Sequence, residues 1–93
     1  MRQVFKYVPD IAMHEPFFQL ELPQGAVFLK VAMQHDRLTF WFEVDPSALK
    51  VQRSFAVVPT GMYVPKHMDG PVQFLETVFQ DVFVWHIYKV LED

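Results

Sequence analysis

Residues Phe74–Val90 read FLETVFQDVFVWHIYKV, and their alternation decides the fold. β-Branched and aromatic side chains dominate the stretch and favour an extended backbone. The polar pair Gln80-Asp81 interrupts it. In the second half Val82, Val84, Tyr88 and Val90 share one face, and Phe83, Trp85 and Ile87 share the other. An extended segment that is apolar on both faces is usually covered on both. The stretch therefore predicts two strands joined by a tight turn at Gln80-Asp81, the second running through the middle of the fold. For the first half a helix is the competing reading, because Val72, Leu75, Phe79, Val82 and Phe83 also form a helical stripe. Trp85, Ile87 and Tyr88 leave that stripe, so strands are preferred.

Working outward, the best hairpin is Ala26–Gln34 with Leu38–Val44. Val27, Leu29, Val31 and Met33 share one parity, as do Leu38, Phe40, Phe42 and Val44 on the partner. The polar connection His35-Asp36-Arg37 is short enough for a hairpin. Gln3–Val8 alternates weakly and ends at Pro9, as an edge strand would. Asp10–Pro16 reads as a loop or a short helical turn. Phe17–Leu22 reads as a half-buried strand ending at the turn Pro23-Gln24-Gly25. Asp45-Pro46-Ser47 breaks the pattern again, and Ser47–Lys50 is long enough for one helical turn at most. Val51–Val58 follows as a strand with Val51, Phe55 and Val57 inward. Arg53 shares their parity, which places it near a strand end or against a carboxylate. Pro59–Pro71 is the longest irregular stretch, and such loops often carry function. The pattern predicts one domain over residues 1–93. It is a mostly antiparallel β-sandwich or partly open barrel of six or seven strands, with at most one short helix.

Composition narrows the function. The hydrophobic fraction of 52% and aromatic fraction of 16% supply a core and exceed what disordered chains carry. The absence of cysteine removes disulfides, thiolate nucleophiles and cysteine metal sites together. A net charge of −3, with the basic residues scattered singly, argues against duplex nucleic acid as a partner. No apolar run approaches the ~20 residues that span a bilayer, and MRQVFKYVPD lacks the apolar centre of a signal peptide. The expected location is the cytoplasm, with no membrane partner.

Reactive chemistry is not assembled by the sequence. His14, His35, His67 and His86 show no metal-pair spacing, so no metal and no cofactor is expected. Neither Ser47 nor Ser54 lies in a nucleophile elbow, and PTGMYVP is not a phosphate-cradling loop. No carboxylate pair is placed for acid–base work; Glu43 or Asp45 is expected to pair with Arg53 across the hairpin. The protein is therefore expected not to be an enzyme. His86 reads as a solvent-facing or hydrogen-bonded strand residue, or as a group that recognises a ligand or partner. Trp41 has outward parity and reads as a partner-binding anchor or as a covered side chain. The surplus of large apolar residues predicts a homo-oligomer.

Five stretches, VFKYVP, LPQGAVFLKV, WFEVDP, RSFAVVPTG and FVWHIYKV, together resemble a family of small uncharacterised proteins of bacteriophages and prophages. The resemblance spans nearly the whole chain in order. It implies a phage origin, and so the infected host's cytoplasm, and a β-rich fold; it implies no activity. A phage setting favours non-enzymatic binding that counters host antiviral defence. In one version the protein sequesters a small cyclic nucleotide signal, with Arg53, Lys66 and His67 on phosphate, Tyr63 or Trp85 on the base, and His86 as a further donor. In the alternative it blocks a host defence protein through a surface around Trp41, or serves as a virion or assembly accessory.

Overall fold

The computed structural model describes residues 1–10, 17–64 and 71–91. Among these residues seven strands form two antiparallel sheets that face each other without closing into a barrel. They are β1 (Gln3–Tyr7), β2 (Phe17–Pro23), β3 (Val27–Gln34), β4 (Arg37–Val44), β5 (Lys50–Pro59), β6 (Val72–Gln80) and β7 (Phe83–Val90). The order is β1-β4-β3 in one sheet and β2-β5-β7-β6 in the other. The predicted β-sandwich is observed, and there is no helix among the described residues. Strand β7 is interior to its sheet, paired with β5 on one side and β6 on the other. The carboxyl-terminal stretch thus holds the place its two-faced alternation predicted, and the helical alternative for residues 72–83 is excluded.

Alternation explains which residues meet. Phe40, Phe42 and Val44 of β4 point inward and are buried, as are Phe55 of β5, Ile87 of β7 and Val78 of β6. Aromatic rings bridge the two sheets. Phe55 stacks on Phe18 at 5.4 Å within one sheet and meets Phe40 and Phe42 of the other at 5.4 and 6.2 Å. Such pairs add about 0.5–1.5 kcal/mol each beyond the area they bury.

The turns refine the predicted boundaries. His35 and Asp36 alone connect β3 to β4, both at positive φ (52° and 61°), while Arg37 already pairs with Gln34. The β6–β7 turn is Asp81-Val82, one residue later than expected, with Asp81 at φ 52°. Residues 45–49 form a turn in which Asp45 Oδ1 accepts hydrogen bonds from the Ser47 amide and hydroxyl, and no helical turn follows. These bonds hold the Asp45 carboxyl below its usual range. The predicted loop or helical turn over 10–16 lies almost wholly outside the described residues.

Two β-bulges break the period-two reading. The register shifts between Phe28 and Lys30 in β3, so Phe28 joins the core with Val31 and Met33. Val27 and Leu29, expected to share the inward parity, are exposed instead. A second shift between Phe74 and Glu76 turns Glu76 towards β3. Its carboxylate accepts a hydrogen bond from the Lys30 ammonium at 2.9 Å and from the Val31 amide at 3.3 Å. Among the described residues β3 and β6 are the edges of their sheets, so Glu76 answers an edge donor that no described strand reaches.

Candidate functional site

One end of the sandwich carries a cluster of exposed apolar side chains. At the β6–β7 turn, Val82 is 87% exposed, Phe79 is 70% exposed, and Phe83 is also exposed. Strand β5 ends beside them, because the Thr60 amide donates to the Val84 carbonyl at 3.1 Å. The chain then turns, with Gly61 at φ 93° and the Met62 amide bonded to the Pro59 carbonyl. That positive φ suits glycine and brings out Met62 and Tyr63, the latter 93% exposed. Phe79 faces Val84 across the ladder, so the apolar tip runs onto the outer face of the four-stranded sheet. There Phe74 and Tyr88 meet edge to face at 5.7 Å.

His86 lies on that outer face, between Val58 and Thr77 in register. Both ring nitrogens are engaged by hydroxyl groups, Nε2 with Thr60 Oγ1 at 2.8 Å and Nδ1 with Thr77 Oγ1 at 3.0 Å. A threonine hydroxyl both donates and accepts, so the pair satisfies either neutral tautomer. This is the hydrogen-bonded strand histidine that the sequence allowed, and it pins the start of the 60–64 segment to β6 and β7.

The opposite end of the sandwich opens between the sheets as a cleft of about 220 Å³. Leu22, Phe28, Phe42, Phe55 and Leu75 line its apolar part, and Arg53 and Lys89 line its basic part. Arg53 does not pair with Glu43 or Asp45 as expected. Glu43 bonds to Arg2 of β1's flank at 2.5 Å, and Asp45 is engaged by Ser47. The reason is topological: β1 lies beside β4, so Arg2 is the cation that reaches Glu43, which faces outward there.

The residues read as ligand-binding from the sequence fall in different places. Arg53 is at the cleft. Trp85 faces inward near the other end, stacked on Phe83 at 5.7 Å, with its indole N–H donating to Gln80 at 3.3 Å. Trp85 pairs with Pro59, and Arg53 precedes Pro59 by six residues on β5, so about 20 Å of strand separates them. His86 is on the outer face and Tyr63 at the tip. Lys66 and His67 lie outside the described residues. Trp41 stands half-buried on the outer face of the three-stranded sheet, between Lys6 and Lys30 in register. The sequence reading missed the tip because it took both faces of the last strand to be covered. The signal available was the run Asp81-Val82-Phe83, which puts apolar side chains at a turn.

Among the described residues no three His, Asp or Glu side chains gather in a way that would hold a metal ion. Neither a curated protein nor a solved structure matches the chain. A family model described as a domain of unknown function (DUF7352) matches residues 1–93, and the chain therefore belongs to that uncharacterised family along its whole length.

Proposed function

We propose that this domain is a non-enzymatic binding module whose apolar tip docks on another protein. In the phage setting that the sequence resemblance implies, the docked protein is a component of host antiviral defence. The observation that carries the reading is the concentration of Met62, Tyr63, Phe79, Val82 and Phe83, all exposed, at one end of the sandwich. Exposed apolar patches mark interaction sites, and aromatic side chains supply much of the binding energy of protein interfaces. The rigid ladder beneath them, and His86 bracing the 60–64 segment, lower the ordering cost of docking.

Sequestration of a cyclic nucleotide has less support. Pockets for ligands of that size are about 300–1,000 Å³, above the 220 Å³ of this cleft, and among the described residues Arg53, Tyr63 and Trp85 stand apart. Self-association through the tip is the competing use of the same surface.

Affinity capture from host lysate with the wild type and with F79S/V82S separates these uses when paired with light scattering. Docking on another protein predicts one stoichiometric host partner, lost in the variant, and a monomeric bait. A wild-type dimer that the variant dissolves, with no host partner captured, overturns the reading. Both substitutions lie at exposed positions and should change stability by no more than about 0.5 kcal/mol.

A further inference from the structure

Met62 brings an oxidisable atom into the apolar tip. It is 65% exposed, whereas Met33 is packed against the core. Met1 is also exposed, but it lies at the cleft end, where its neighbour Arg2 donates to the carbonyls of Gly25 and Glu43. The turn that displays Met62 is tied down on both sides. The Met62 amide donates to the Pro59 carbonyl at 3.1 Å, and Gly61 takes the positive φ that the turn requires. Thr60 is held by the Val84 carbonyl and by the His86 ring. The turn that sets Tyr63 at the tip therefore sets an accessible thioether beside it. A thioether reacts without losing a proton, so its susceptibility to oxidation follows its exposure.

We propose that Met62 is an oxidative modification site and that its oxidation switches docking off. The switch rests on the docking reading above; the site does not. The oxidant is hydrogen peroxide. A lone pair of Met62 Sδ attacks one peroxide oxygen, and the S–O bond forms as the O–O bond breaks. Sulfur loses an electron pair to the leaving hydroxide. The proton on the attacked oxygen passes to that hydroxide, which departs as water. The product is methionine sulfoxide, a polar group set among Tyr63, Phe79, Val82 and Phe83. Burying it against an apolar partner surface without a hydrogen bond weakens docking about tenfold or more. Sulfoxide reductases return the thioether, oxidising a pair of thiols to a disulfide and releasing water, so the modification is reversible.

The test exposes the full chain to hydrogen peroxide and follows the methionines by peptide mass spectrometry. Met62 should gain oxygen faster than Met33, and oxidation of Met62 no faster than Met33 overturns the site. Capture from host lysate then compares the protein before peroxide, after it, and after dithiothreitol with the sulfoxide reductases for both epimers. The yield of the host partner should fall about tenfold or more on oxidation and return on reduction. M62Q, whose amide imitates the polar sulfoxide, should show the same fall without peroxide. In M62L, peroxide should leave the yield where that variant started, whatever its level. An unchanged yield with Met62 fully oxidised, or the same fall in M62L, overturns the switch. Untreated protein that captures no host partner overturns docking and the switch together, and the mass measurement still decides the site.

Discussion

Replacing Glu76 with glutamine tests how the two sheets are held together at their open seam. The carboxylate spans the edges of β3 and β6, taking the Lys30 ammonium on one oxygen and the Val31 amide on the other. Both partners of the ion pair are partly solvated, Lys30 more than Glu76, so the pair contributes only about 0.2–1 kcal/mol. The bond to Val31 is long but satisfies an edge amide, and weakening it costs roughly 0.5–1 kcal/mol. E76Q should therefore lose about 1 kcal/mol at pH 7, which lowers Tm by about 4–8 °C in a domain of this size. The effect should vanish in acid. Chiefly because the Lys30 ammonium bonds to it, the Glu76 carboxyl titrates below its ordinary value of 4.5 in the folded state. A depressed folded value means that the stabilisation is complete above the unfolded glutamate range and disappears as pH falls through the folded value. Glutamine does not titrate, so the gap between E76Q and wild type should close as pH falls through the lowered folded value. Urea denaturation of both proteins at pH 7, 5 and 3 measures it. A gap unchanged from pH 7 to pH 3, or no gap at pH 7, would refute the seam account.

Three other outcomes are expected. Phe40 is fully buried at the junction of both sheets, so F40A should cost about 3–5 kcal/mol and leave the chain largely unfolded by circular dichroism. His35 and Asp36 hold positive φ at the price of about 1 kcal/mol each, so H35N/D36G should raise Tm by several degrees in a thermal scan. T77V leaves His86 Nδ1 without its hydroxyl; a loss of about 1 kcal/mol in urea denaturation, with the fold intact by NMR, is the expected result.

The strands were legible because β4 and β7 keep unbroken alternation around large apolar residues, from Leu38 to Val44 and from Phe83 to Val90. The bulges were not legible. Period-two reasoning assumes that each residue advances the register by one, and nothing in VFLKVAMQ or VQFLET marks where one residue is skipped. That single assumption put Leu29 inside and hid the Glu76 bridge. The partner of Glu43 was illegible for a different reason: it depends on β1 lying beside β4, a pairing between segments far apart in sequence. The candidate surfaces divide similarly. His86 was legible as a solvent-facing or hydrogen-bonded strand residue, whereas the tip gathers the ends of β5, β6 and β7 from one sheet, and the cleft arises only where strand ends from both sheets come together.

The most direct test of docking through the tip is site-specific photo-crosslinking, with a photoreactive phenylalanine analogue placed at position 79, at position 63, and at the exposed position 50 on the far end of β5. In host lysate, positions 79 and 63 should each yield an adduct with the same host protein, and position 50 should yield none. Adducts from position 50 alone, or only a crosslinked dimer of the chain itself from position 79, would contradict the account.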